Sequence, residues 1–216
     1  ILVSKRIRRD YLCRMNSLPV IQNILFIDIE TVPQHPEYSR VPERMKRLWD
    51  KKCENFKEDK MPYEFYERAG IYSEFGKIVC ICCGYFNDQQ IFVEEEFYGH
   101  DEKAILLSFK NLISNKFYLN NQVLCAHNGK EFDFPYISRR MLIHNIQLPS
   151  MLEIAGKKPW EVKHLDTMEL WKFGDYKSYT SLDLLAAVFN ITTPKDDIDG
   201  SKVGETYWKN DDLQRI

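Results

Sequence analysis

Two acids, one residue apart, interrupt an apolar run in "NILFIDIETVP" (residues 23–33): Asp28 and Glu30. Side chains alternate across a strand, so both carboxylates fall on one side. At the end of a buried strand they repel one another and lose water unless something cationic neutralises them. A third acid, Asp133, opens the helical pattern "DFPYISRRMLIHN" (133–145), just after the apolar stretch "QVLCAHN" (122–128). If the two strands are neighbours, oxygen ligands from separate segments meet at one mouth. That donor set suits hard divalent cations, Mg²⁺ or Mn²⁺. Two such ions, about 3.5–4 Å apart, suit an in-line displacement at phosphorus. Read alone, Asp-x-Glu is equally a pair of caps or salt-bridge partners on a sheet rim.

The elements that must position these acids can be read from the pattern. Residues 23–29 form a strand apolar on both faces. Residues 34–70 are charged and aromatic, with Pro36, Pro42 and Pro62 as punctuation, and "ERMKRLWDKKCENF" within them has near-helical apolar spacing. This predicts a helical insertion. "GKIVCICCGYF" (76–86) and "QQIFVEEEFY" (89–98) are two strands, and Asn87-Asp88 between them predicts a tight antiparallel hairpin. "DEKAILLSFKNLI" (101–113) is an amphipathic helix. Pro135 sits in the first turn of the helix at 133–145, where proline is tolerated. Two more helices follow in "TMELWKF" and "SLDLLAAVFN", the second with Ser181 as N-cap. A last helix begins at "GETYWKNDDLQRI". The order implies an α/β domain with a mixed sheet of about five strands flanked by helices. In such sheets ligands bind beyond the C-terminal ends of parallel strands, here the first and the fourth.

Composition bounds the rest. A chain of 216 residues suits one domain, or one with an insertion. Net charge is −2, so any basic footprint for a polyanion must be local. No run of 18 apolar residues exists to span a membrane. Three of the six cysteines crowd one strand as Cys80, Cys82 and Cys83, which is no disulfide framework and implies a reduced, cytoplasmic setting. Alternation puts Cys80 and Cys82 on one face and Cys83 on the other, which argues against a zinc site with Cys125 and His127. Residues 1–14 hold five basic side chains and one acid, with the first methionine at Met15. They read as an extension ahead of the natural start or as a basic arm for nucleic acid. Residues 15–216 form the domain proper.

"FIDIET" followed by "HNGKEFDFPYISRR" resembles the first two motifs of the DEDD superfamily of 3′–5′ exonucleases. The Asn-x-x-x-x-Asp-x-Pro-Tyr form is similar to the proofreading domain of family B DNA polymerases and to small exonucleases related to it. "HLDTMELWKF", "SLDLLAAVFN" and "DGSKV" extend the similarity over residues 21–216. The resemblance implies an RNase H-like fold, two Mg²⁺ or Mn²⁺ ions and hydrolysis from the 3′ end of single-stranded or frayed nucleic acid, with DNA favoured and a role in DNA repair. It implies that Asp28, Glu30 and Asp133 bind metal, with Glu30 helping to position the attacking water. It puts Asn128 at the substrate or in a site-orienting role. Phe132 and Phe134 become groove aromatics, with core packing the alternative for at least one of them; Arg139, with Arg140, and Lys202 become phosphate contacts. For the arginines a solvated helix face serves as well, for Lys202 a surface loop. Asp166 stands behind the site after a short strand. An RNA-trimming enzyme, or a binding module that no longer cleaves, is the alternative, and the sequence names no polymerase or repair partner.

The superfamily also implies a fourth carboxylate on a late helix, preceded by His or Tyr. Tyr-x-x-x-Asp occurs at Tyr179–Asp183 and at Tyr207–Asp211. The first reads as helix capping. The expectation is that the true motif lies just beyond Ile216 on a final helix cut short here, with Asp211 as the alternative.

Overall fold

The structure is a computed structural model that describes residues 19–175, 179–192 and 202–215. The basic stretch at 1–14 lies outside the described residues. Five strands form one mixed sheet: β1 (Ile24–Pro33), β2 (Gly76–Phe86), β3 (Phe92–Tyr98), β4 (Val123–Ala126) and β5 (Leu165–Asp166), in the spatial order β3-β2-β1-β4-β5. β1 pairs antiparallel with β2 and parallel with β4; β2–β3 is antiparallel and β4–β5 parallel. The kind of sheet and the strand number are those expected from the sequence. The helices are α1 (Glu43–Cys53), α2 (Glu102–Lys116), α3 (Asp133–Ile143), α4 (Thr167–Lys172), α5 (Leu182–Val188) and α6 (Val203–Lys209). Among the described residues no helix is long and apolar enough to cross a membrane.

Alternation along β1 builds two unlike faces. Leu25, Ile27 and Ile29 join Ile78, Ile81 and Cys83 of β2 in the main core, closed by Ile105, Leu106 and Phe109 of α2 and by Phe134, Ile137 and Met141 of α3. The opposite face carries two smaller apolar clusters. Ile24 and Phe26 pack with Val123 and Cys125 at one end. Val32 and Val79 are covered by Val203 and Tyr207 of α6 at the other. Asp28 and Glu30 fall between these clusters, at the positions where the alternation would otherwise continue the apolar row.

Three local expectations are corrected. β1 does not end at the acids but runs on to Pro33, with a register shift between Glu30 and Thr31. The β2–β3 connection is not a two-residue turn: Phe86 pairs with Phe92, and residues 87–91 form the loop. Asn87 organises it by accepting Gln89 N–H at 3.0 Å and Ile91 N–H at 2.9 Å through its side-chain oxygen. The last helix stops at Lys209, and Asp211 adopts a left-handed conformation (φ 51°) beyond its end. The N-cap expected at Ser181 is present, its Oγ accepting Leu184 N–H at 3.2 Å.

Candidate active site

The parallel ladder between β1 and β4 is short, with only Ile24, Leu25 and Phe26 paired to Val123, Leu124 and Cys125. β4 ends at Ala126, so from Ile27 onward the flank of β1 needs another partner. The start of α3 supplies one, to Ile29, and the turn at 127–132 leads to it. Asn128 turns the chain in the left-handed region (φ 63°), which asparagine tolerates. Gly129 follows because a Cβ there would collide with Ala126 Cβ and the Phe134 ring. The turn delivers Asp133 to the first residue of α3, where its carboxyl meets the backbone N–H of Ile29 and its own.

Asp133 is 2% exposed, and its Oδ1 is buried with no hydrogen-bond partner among the described residues. Burial first, and then the Asp28 carboxylate, push the Asp133 carboxyl well above the ordinary carboxylate range; Asp166 adds to the effect more weakly. Asp28 and Asp133, from separate segments, thus share one electrostatic site. Asn128 Oδ1 is a second buried oxygen without a partner among the described residues. Both orphaned atoms are hard oxygen donors of the kind Mg²⁺ and Mn²⁺ take. Among the described residues no three His, Cys, Asp or Glu side chains stand close enough together to enclose an ion. Glu30 lies opposite Cys80 and Asp28 opposite Cys82 in the ladder, and the two sulfurs are 3.4 Å apart on that face. Cys83 belongs to the core on the other face, as alternation requires.

Asp166, expected behind the site after a short strand, has partners that the sequence did not disclose. It is 2% exposed, and its carboxylate accepts the backbone N–H groups of Asn128 (2.9 Å), Lys130 (3.1 Å), Met168 (3.0 Å) and Glu169 (3.4 Å). One side chain therefore caps α4 and clips the turn that leads to Asp133. His164 does similar work two residues earlier, just before β5. Leu124 N–H donates to its Nδ1 at 3.1 Å, so its Nε2 carries the proton and donates to Met151 O at 2.9 Å. Burial holds this imidazole down to about 4, neutral at ordinary pH. His127 Nε2 reaches Thr180 O at 2.8 Å and Nδ1 pairs with Thr167 Oγ1 at 2.9 Å, tying the end of β4 to α4 and to the approach of α5. A carboxylate two residues beyond a buried histidine was the available signal for Asp166, and it is weak.

The remaining predicted contacts separate. Phe132 is half-buried against the main core, its ring 5.4 Å from that of Tyr136, while Phe134 is fully buried. Arg139 is exposed on α3. Arg140 is no phosphate contact: it is 2% exposed, donating from Nε and Nη2 to Glu102 at 2.8 and 2.5 Å and from Nη1 to Ser73 O at 2.8 Å. Glu102 also accepts Ile78 N–H at 2.7 Å, so this pair joins α2, α3 and β2. Lys202 is exposed at the start of α6. Tyr207 is buried on α6, its hydroxyl accepting from Lys77 Nζ at 2.7 Å and paired with His100 Nδ1 at 2.9 Å. Asp211 is 81% exposed with His100 Nε2 at 3.5 Å. Tyr179 is 71% exposed, and Asp183 lies in the first turn of α5.

A profile of the RNase H superfamily matches residues 66–212. The chain belongs to that superfamily. Membership bears out the resemblance drawn from the motifs. No curated protein matches this chain. Among solved structures, the family B DNA polymerase of the hyperthermophilic archaeon Pyrobaculum calidifontis is similar, with TM-score 0.52 and 17% identity over 86% of this chain and 20% of the polymerase. Escherichia coli exonuclease I in complex with a dA16 oligonucleotide aligns with TM-score 0.42 and 10% identity, over 89% of this chain and 41% of that one. The chain therefore spans a fifth of the polymerase and under half of the exonuclease. The first likeness is one of fold.

Proposed function

We propose that this RNase H superfamily domain is a metal-dependent 3′–5′ exonuclease acting on single-stranded or frayed nucleic acid, with DNA favoured. The observation that carries the reading is the pairing of Asp28 with a buried Asp133 whose Oδ1 has no partner among the described residues, beside a strand that stops short. A buried carboxyl without a partner on one oxygen, facing a second carboxylate, is costly unless a cation offsets it. Motif order, superfamily membership and the shared fold all support the same reading.

Asp28 and Asp133 would hold Mg²⁺ or Mn²⁺, with Glu30, on the same face of β1, closing in as the third carboxylate once an ion draws the group together, and the buried Asn128 Oδ1 offers an amide oxygen from the turn before Asp133. Such ions supply charge neutralisation and Lewis acidity at a phosphodiester. The chain's own groups do the rest. Glu30 orients the attacking water. Asp166 holds the 128–130 turn, and through it Asp133, in place. Phe132 offers a half-buried ring for a terminal base, and Arg139 and Lys202 offer charge to phosphates.

Single-stranded DNA and RNA, labelled at the 5′ or the 3′ end, incubated with Mg²⁺, Mn²⁺ or EDTA, test this. Release of mononucleotides from the 3′ end with either metal, none in EDTA and none from Asp28→Asn, is the expected result. Shortening from the 5′ end, internal cleavage, or equal activity in EDTA would refute it. Binding without cleavage in all conditions would favour a module that has lost catalysis.

A further inference from the structure

The net negative chain carries one helix face of opposite sign. In α1, Arg44, Arg47 and Lys51 recur at i, i+3 and i+7 and are exposed, with Leu48, 48% exposed, inside the same stripe. The stripe runs about 10 Å along the helix. The two acids of α1 flank the stripe on its Arg47 edge and lean toward Tyr38: Asp50 accepts the Tyr38 hydroxyl at 2.7 Å, and Glu43 acts on the same tyrosine. The opposite side of α1 is anchored by Trp49, fully buried among Phe56, Tyr66, Tyr72 and Phe75, with its indole N–H on Pro62 O at 2.9 Å. A core on one side and three arginine or lysine heads on the other fix which way the charge points.

The platform beneath α1 is locked to the site strand. The segment Pro62–Ile71 packs on β1, where Gly70 lies so close to Val32 and Pro33 that a Cβ would press on their backbone. Tyr136 of α3 donates to Gly70 O at 2.7 Å, and Gln34 N–H donates to Phe75 O at 2.9 Å. The insertion thus stands rigidly past the Glu30 end of β1, borne by the same strand and the same helix that carry the acids.

We infer that α1 is a docking surface for the phosphate backbone of a single-stranded nucleic acid, holding the strand away from the carboxylates while its end is at the site. Cations on a rigid face can neutralise phosphates in sequence and release counterions, without base specificity. An exposed Leu48 among them gives a base or sugar an apolar contact. The identity of the polyanion rests on the nuclease reading above; the existence of the surface does not.

The test is fluorescence anisotropy of the full chain with a 5′-labelled single-stranded 20-mer in EDTA, across 50 to 300 mM salt. With each neutralised phosphate contributing about 0.7 to the slope of log affinity against log salt, Arg44→Gln/Arg47→Gln/Lys51→Gln should flatten it by about 2 and weaken binding at 50 mM at least about tenfold. Lys103→Gln/Lys110→Gln/Lys157→Gln, which removes the same charge elsewhere, should leave the slope as it was. An unchanged slope in the first variant, an equal change in the second, or no binding by wild type overturns the inference, as does a preference for phosphatidylserine vesicles over the oligonucleotide. Circular dichroism should show both variants folded, since the altered side chains are on the surface. Wild type that binds with the expected slope but never cleaves with Mg²⁺ or Mn²⁺ removes the nuclease reading and leaves this surface standing. Cleavage with an unaltered slope does the reverse.

Discussion

Acid should loosen β4, the strand that leads into the Asp133 turn, through His164. This imidazole accepts from Leu124 N–H and donates to Met151 O, so both nitrogens are committed in the neutral form. Protonation would put a second N–H against a backbone N–H in a site only 7% exposed. The folded value of about 4 lies below the ordinary 6.5, so the unfolded chain takes up the proton first. Stability from this group is therefore complete above pH 6.5 and lost as pH falls toward 4. The two values correspond to a loss of about 0.8 kcal/mol at pH 6, about 2 kcal/mol at pH 5 and about 3 kcal/mol once both forms are protonated. Urea unfolding in EDTA at pH 7.5, 6 and 5, for wild type and His164→Gln, isolates it. The substitution costs stability at neutral pH, but that deficit should shrink by about 2 kcal/mol on going to pH 5. Other titrating groups are common to both proteins and cancel. Parallel pH profiles, or an NMR titration of His164 near 6.5, would refute the reasoning.

Asp133 has the opposite sign. Its carboxyl is raised above the ordinary 3.8, so without metal the chain should lose stability as pH rises above that value, and Asp133→Asn should flatten the loss and melt higher than wild type at pH 7.5 in EDTA. Millimolar Mn²⁺ should raise the melting temperature of wild type but not of Asp28→Asn or Asp133→Asn, because only wild type offers both acids; an equal rise in all three would count against the site. Arg140→Ala should cost about 3–5 kcal/mol in urea unfolding by removing the guanidinium from the buried Glu102 and leaving it only Ile78 N–H and His144 Nε2, whereas Arg139→Ala, on the exposed side, should cost under about 0.5 kcal/mol. Tyr207→Phe should cost about 1 kcal/mol, and both it and Asp211→Asn should cleave at wild-type rates, since Tyr207 is turned to Lys77 and His100 and Asp211 is solvated. Loss of cleavage in either would make that pair the missing third motif.

What the sequence determined by itself was what depends on local period. Alternation put Asp28 and Glu30 on one side of a strand and split Cys80 and Cys82 from Cys83. Asp133 could be set at a helix start from the apolar spacing after it, and Ser181 at another from its capping chemistry. The motif pair added the superfamily. Tertiary structure decided whatever depends on where a partner ends. β4 stops at Ala126, and only that shortness leaves the flank of β1 to Asp133 and makes its carboxyl a buried neighbour of Asp28. Arg139 and Arg140 are adjacent in sequence and differ by 100° around the helix; the position of Glu102, 38 residues away, selects which one is buried. His164 reads as an ordinary polar residue, and Asp166 only as a carboxylate behind the site, until the backbone N–H groups of β4 and the following turn arrive beside them. The basic stripe of α1 is visible as spacing, but its direction comes from the aromatic ring cluster around Trp49, which no local pattern could assemble, because its members are contributed by three separate stretches of the insertion.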